Sequence, residues 1–295
     1  MQGLLIVNKP SGITSFGAVA RLRRIAAVKK VGHTGTLDPM ATGVLPIFVG
    51  RATSLCSFLL DADKGYTATF LFGTVTDTDD ITGNVISHTQ PKLTEAEVLA
   101  AISGFVGEIS QVPPAYSAIK QGGVPMYKLA RKGESVEIPA RNVTVHSITP
   151  ISAFENNEIT VDIKCSKGTY IRSLCRDIGQ KLGCGATLKS LCRNAASGFT
   201  LSDAVDLNSL SGDNLESYLL PEERAVEHLR EVFVSEKQAT RFLNGGKLDI
   251  GRLRFTANEN GEFLRVKQGD ALLGIGEVDK DNNEIRIKCL LQTNA

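Results

Sequence analysis

In the stretch GHTGTLDPMATGVLPI, residues 32–47, a single carboxylate, Asp38, stands in a run whose only other ionisable side chain is His33. Leu37 precedes it and Val44, Leu45, Ile47 and Phe48 follow, the pattern of a buried wall. A carboxylate left unpartnered in such surroundings costs several kcal/mol or takes up a proton. Any fold of this chain must therefore turn Asp38 to water or bring a cation to it from elsewhere.

The 295 residues, 42% of them apolar, suffice for one large domain or two unequal ones with a real core. The opening MQGLLIVNKP is too short in apolar residues for a signal peptide, and no run approaches a membrane span. A cytoplasmic address and no membrane partner are expected. Six cysteines, at 56, 165, 175, 184, 192 and 289, show no C-x-x-C spacing and are read as reduced and structural. The four histidines lie far apart, and none begins H-x-E or H-E-x-x-H, so zinc chemistry has no ligand set and no metal is expected.

The formal net charge is +1, but the cations are unevenly spread. RLRRIAAVKK, 21–30, holds Arg21, Arg23, Arg24, Lys29 and Lys30 without an acid. A second basic stretch carries Lys120, Lys128, Arg131, Lys132 and Arg141 against two glutamates. A lone run of this kind is ordinarily a solvated face. Two runs flanking the Asp38 motif in sequence weaken that reading.

GLLIV, 3–7, reads as a buried strand ended by the turn NKPSG, and Thr14 or Ser15 caps a helix through about Ala27. YTATFLFG, 66–73, reads as a strand, and TDTDDITGN as a solvated turn, since a calcium loop counted from Asp77 meets its Gly one residue late. A helix at about 94–103 opens with a capping box from Thr94 to Glu97, and RNVTVHSI and EITVDIKC read as strands. Ile171, Leu174, Ile178 and Leu182 recur at helical spacing, with Thr169 as cap and Gly183 as stop. Arg172 then lies in a helical first turn, where a cation opposes the helix dipole and calls for an anion. Asp38 is one candidate; Asp77, Asp79 or Asp177 could serve instead. An acidic, helix-prone linker at 203–231 leads to a capped helix at Ser235 and four short strands near 252–256, 262–267, 271–278 and 284–291, a small β domain. The boundary is expected near 230, giving domains 1–230 and 231–295.

Four ordered stretches, LIVNKPSGITS, GHTGTLDPMATGVLPI, GYTATFLFGTVTDTDDITG and KGTYIRSLCRDIGQKLGCGA, together with QVPPAYSAIKQGG, resemble the bacterial branch of the TruB family of pseudouridine synthases. The resemblance implies an α+β fold, a mixed, largely antiparallel sheet with helices around a central cleft, and the last sixty or so residues resemble a PUA domain, a small RNA-binding β module. One departure is Cys192 and Asn194 after Leu191, where the family usually shows basic residues and then Thr-x-x-Gly. Lys9 and Pro10 match its opening motif as scaffold.

The activity implied is isomerisation of uridine 55 in the T loop of tRNA to pseudouridine, with the base flipped out. By the resemblance Asp38 is the catalytic aspartate, Tyr66 and Arg172 are active-site residues, and His33 and Tyr170 belong to the pocket and the flipped RNA. Arg21, Arg23, Arg24, Lys120, Lys128 and Arg131 are expected to meet the RNA. No cofactor is expected, because the reaction consumes no redox equivalent, phosphate or acyl donor and no G-x-G-x-x-G or G-x-x-x-x-G-K-[ST] is present. The rivals are an RNA-binding protein with an idle site and a guide-RNA-dependent relative. The intact trio of Asp38, Tyr66 and Arg172 argues against the first, and the lack of a basic tail or insert against the second, so neither an obligatory protein partner nor a guide RNA is expected.

Overall fold

The structure, a computed structural model, describes residues 1–60, 62–116, 120–121, 124–126 and 138–292. Its centre is a ten-stranded sheet in the order Val205–Asp206, Gly3–Lys9, Thr42–Val49, Ala186–Ala196, Lys64–Phe72, Glu158–Cys165, Arg141–Pro150, Gly107–Gln111. Val31–His33 and Phe199–Thr200 pair off this path. Two pairings are parallel, Val205–Asp206 with Gly3–Lys9 and Thr42–Val49 with Ala186–Ala196, and the rest are antiparallel. The expected mixed, largely antiparallel α+β architecture is what the chain forms.

Local sequence explains the placement. TGVLPIFV, 42–49, is apolar almost throughout and lies central with both faces covered, whereas Lys64–Phe72 largely alternates between buried and half-buried positions. The helix Ser15–Ala26 starts at Thr14, whose hydroxyl accepts from Gly17 N at 2.9 Å, and ends where Ala27 turns left-handed at φ 52°. It buries Ala18, Val19, Leu22 and Ala26 against the same core as Ile171, Leu174, Cys175 and Ile178 of the helix Ile171–Lys181. The capping box of Thr94 and Glu97 forms as read, opening Glu95–Ser103.

Several expectations change. Thr169 does not cap the helix; its hydroxyl turns back to Ser166 O at 2.9 Å, and Tyr170 occupies the cap position without capping the helix through its side chain. The acidic stretch after 203 forms only short 3-10 turns and one two-residue strand, because its apolar residues, among them Leu207, Leu210 and Leu215, are too scattered to line one face of a helix. Residues 252–256 form no strand. The C-terminal sheet is instead five-stranded, Arg230–Phe233, Phe263–Gln268, Ala271–Asp279, Glu284–Leu290, Leu248–Asp249, with the helix Glu236–Leu243 on its core.

That sheet has its own apolar core around Val232, Phe242, Leu264 and Val266, but a second cluster joins it to the large sheet. Leu272, Ile275 and Leu291 pack with Leu4, Ile6, Val44 and Phe48, and Phe58 meets Phe263 edge-on at 5.1 Å. Arg265 and Lys267 add ion pairs to Glu223 at 2.6 and 2.8 Å. Ile275, fully buried in this junction, is expected to cost about 2–5 kcal/mol when changed to Ala. Urea unfolding of Ile275→Ala checks this; a midpoint equal to wild type means the two sheets are not mechanically joined.

Candidate active site

A cavity of about 390 Å³ opens at the centre of the large sheet, and its lining includes Asp38, Lys64, Tyr66, Tyr170, Arg172 and Arg193. Asp38 comes from the loop between Val31–His33 and Thr42–Val49, and backbone carbonyls and amides of that loop are clamped from several sides. Ser15 Oγ donates to Leu37 O at 3.2 Å and accepts from Leu37 N at 2.8 Å. Lys9, fully buried, donates from Nζ to Pro10 O and Ile13 O, both at 2.8 Å, and to Pro39 O at 3.3 Å. Burial pulls its ammonium down to about 8 against the attraction of Asp38. Gly12 N donates to Pro39 O at 2.9 Å, so the NKPSG turn and the Asp38 loop are bound edge to edge.

Arg172, only 4% exposed, faces Asp38 with two nitrogens. Nη2 donates to Oδ1 at 2.9 Å, and Nε lies 2.8 Å from Oδ2, close enough for charge but off the line of a good hydrogen bond. The guanidinium also donates to Thr78 O at 3.1 Å and Tyr116 O at 2.9 Å, and Asp80 stands 3.7 Å from Nη1. The other aspartates weighed as partners are engaged elsewhere: Asp79 and Asp177 pair with Arg176 at 3.0 and 2.9 Å, and Asp77 accepts from Asn84.

Asp80 was not read from the sequence, and the expectation of a solvated turn at 77–84 needs correcting. Its carboxylate is buried, with Oδ1 accepting from Thr78 Oγ1, Thr82 N and Thr82 Oγ1 at 3.0, 3.0 and 2.5 Å. An aspartate two residues before Thr or Ser in a DxT turn looks solvated in one dimension; only the approach of Arg172 buries it.

Tyr66 is buried beside Asp38, and burial pushes its phenol up to about 12 while Arg193 pulls against that rise. Arg193, 1% exposed, was also missed, because LCRNAASGF gives no period that marks it as inward-facing. His33 is half-buried; burial, then Arg193, lower its pKa, and its buried Nδ1 has no hydrogen-bond partner among the described residues. Tyr170 sits at the helix start, where the Gln111 side chain accepts from its N at 2.8 Å and donates to its O at 3.1 Å. Of the departing residues, Asn194 donates to Asp162 at 2.8 Å and Thr67 at 3.1 Å, a cross-strand bond inside the sheet.

The basic set divides. Arg21 donates to Asn208 at 2.7 Å and Arg23 to Val31 O at 3.0 Å, so both help hold the helix in place, and Arg24 is exposed in its last turn. Lys120 belongs to the two-residue strand Lys120–Gln121, but its side chain lies outside the described residues, as do Lys128 and Arg131 altogether.

Residues 23–171 match the model of the TruB family pseudouridylate synthase N-terminal domain, and 172–231 that of the tRNA pseudouridylate synthase B C-terminal domain. The tRNA pseudouridine synthase B of Clostridium perfringens (strain 13 / Type A) is 42% identical over 282 residues, 95% of this chain and 96% of its own. That of Clostridium novyi (strain NT) is 39% identical over 291 residues, 99% of this chain and 100% of its own. Among solved structures, a chain of a Cbf5-Nop10-Gar1 complex superposes with a TM-score of 0.73 at 25% identity, covering 99% of this chain and 85% of that one. The chain belongs to the TruB family of pseudouridylate synthases and is an isomerase. No helix among the described residues is long and apolar enough to cross a membrane.

The Asp38 carboxyl is raised above its usual 3.8: burial is the largest cause, Arg172 opposes it, and Asp80 adds to it. A carboxyl with a folded pKa above its unfolded one favours folding in its protonated form. That contribution is complete below the unfolded value and disappears as pH rises through the folded one. Carbon-13 NMR titration of the Asp38 carboxyl is expected to give a midpoint above 3.8; a midpoint at or below it means Arg172 outweighs burial.

Proposed function

We propose that this chain isomerises uridine 55 in the T loop of tRNA to pseudouridine, with Asp38 as nucleophile, Arg172 as its orienting counter-ion and the target base flipped into the cavity. The chain makes pseudouridine in tRNA as a member of its family; the reading adds the position, the residues and the flipping. The observation that carries it is the pairing of both Asp38 oxygens with a nearly buried guanidinium beside an open cavity.

A carboxylate attacks an electrophilic carbon only when ionised, and Arg172 supplies the charge that keeps it so where burial works the other way. The planar fork also aims it. The bond from N1 of the base to C1′ breaks, the base turns, C5 bonds to C1′, and as the proton on C5 leaves N1 takes one up, so that the product is an isomer of the uridine. Attack at C1′, attack at C6 of the base and a route that first removes a ribose proton all call on the same ionised oxygen, and any bond it forms is broken again before product leaves. Tyr66 remains a neutral phenol through the working pH range, so it offers a ring face for stacking, worth ~1–3 kcal/mol, and a hydroxyl that holds its proton. A base inside a folded loop must leave its stack to reach the cavity. His33, at the edge of the Asp38 loop, is read as contacting the RNA left behind, and Tyr170 as part of the pocket wall.

The five-stranded C-terminal sheet is read as a PUA-like RNA-binding module, and the domain division as falling near 230. The enzyme is read as working in the cytoplasm on tRNA without guide RNA, protein partner or cofactor. The chain it resembles in fold belongs to a Cbf5-Nop10-Gar1 complex, and that assembly is that protein's.

Mapping pseudouridine in tRNA treated with the purified protein tests the position directly. Asp38→Asn is expected to abolish product while tRNA still binds, and Arg172→Lys to lose at least about 100-fold in single-turnover rate, since a point charge cannot replace the fork. An Asn variant that turns over without reverting to Asp, or modification at a different uridine, removes the reading. The acid limb of the pH–rate profile should fall as Asp38 takes up its proton, at a pH above 3.8.

Affinity for tRNA is expected to drop steeply with salt, and Arg24→Gln to reduce the log–log slope by about 1. An unchanged slope takes the RNA away from the helix Ser15–Ala26.

A further inference from the structure

The reading above leaves Arg193 unused, yet among the described residues it is the largest of the fully buried side chains, and it stands between two of the residues proposed to act. In the strand Ala186–Ala196 it lies opposite Tyr66 of Lys64–Phe72 and beside Gly43 of Thr42–Val49. Gly43 has φ 107°, and a Cβ there would meet the Arg193 carbonyl oxygen at 2.2 Å, so the chain leaving the Asp38 loop touches the Arg193 backbone directly. The side chain then reaches back along the loop. Nε donates to Val44 O at 2.9 Å, Nη2 to Gly35 O at 2.8 Å and Nη1 to Thr36 O at 3.5 Å. Tyr66, directly across from it on the neighbouring strand, lines the same cavity, and the guanidinium charge acts on its phenol.

A guanidinium only donates. Toward Tyr66 it therefore acts as a fixed positive charge, which opposes the effect of burial on the phenol. Stability alone does not account for such a group, because a buried cation is often replaced by apolar residues without loss. What a planar, five-donor fork adds is a fixed relation between the groups it holds.

We propose that Arg193 is a positioning residue: from the strand position directly opposite Tyr66, one guanidinium fixes the Gly35 and Thr36 carbonyls just before Asp38, so that carboxylate and phenol keep one mutual geometry. This rests on the proposed roles of Asp38 and Tyr66. Asn194, its neighbour, is bonded within the sheet and has no part in it.

The test uses Arg193→Lys and Arg193→Gln in the full chain, with folding checked by circular dichroism. Single-turnover rate on saturating tRNA, tRNA affinity and the fluorine NMR spectrum of fluorotyrosine-labelled protein are measured. Five tyrosines give five resonances, and Tyr66 is assigned by its loss in Tyr66→Phe. Arg193→Lys is expected to slow turnover by about 10-fold or more with affinity within about 2-fold, and to move the Tyr66 resonance alone. In a Tyr66→Phe background the same change should cost much less, because the group it acts through is gone. Wild-type turnover with an unmoved Tyr66 resonance, or losses that simply multiply in the double variant, overturns the proposal. If neither variant reaches the wild-type fold, Arg193 is a stability determinant and the proposal falls. Wild-type rates for Tyr66→Phe or Asp38→Asn would instead remove the underlying reading and leave the Arg193 geometry standing.

Discussion

A carboxylate and a guanidinium, neither of which belongs in its own local setting, hold the centre of this structure together. Asp38 stands in an apolar wall, and Arg172 in the first turn of a helix where the dipole disfavours a cation. Their pairing at 2.8 and 2.9 Å satisfies both, and Asp80 and the carbonyls of Thr78 and Tyr116 complete the ring around the guanidinium. Three separate segments are thereby drawn to one point. Removing Arg172 would leave the buried Asp80 carboxylate and Asp38 without their common cation, which is costlier than the pairing is stabilising.

The loop carrying Asp38 has no regular structure between Thr34 and Ala41, yet it is not left to itself. Ser15 fastens Leu37 at both backbone atoms, Lys9 and Gly12 hold Pro39, and Arg193 holds Gly35. These donors come from the first turn, the first helix and the central strand, so the sheet sets the position of the loop. Charge that must be stabilised at a fixed point is best met by groups that need not move, and this is how such a point is built from loop backbone.

The C-terminal sheet is joined to the large one by apolar contact rather than by a linker alone. Ile275 and Leu272 lie on the outer face of Gly3–Lys9 and its neighbours, opposite the core that supports the cavity. Gly3–Lys9 and Thr42–Val49 are thus buried on both faces, which suits the nearly continuous apolar run of 42–49. Arg265 and Lys267 close the rim against Glu223 and Glu231.

Much of the fold was legible in one dimension. Caps at Thr14, Thr94 and Ser235, the strand 64–72 and the helical spacing from Ile171 are local patterns, governed by neighbours a few residues away. The five-stranded order of the C-terminal sheet, the strand 186–196 and the failure of helices to form at 203–231 depend on which surfaces meet, and no local period encodes that. The same division runs through the site. The sequence by itself determined that Asp38 needed a cation and Arg172 an anion, because burial and the helix dipole act on each residue where it stands. Only the tertiary structure decided that they serve each other, that Asp80 joins them and that Arg193, opposite Tyr66, holds Asp38's loop, because those contacts link residues 92 to 158 positions apart and exist only once the sheet has brought their strands side by side.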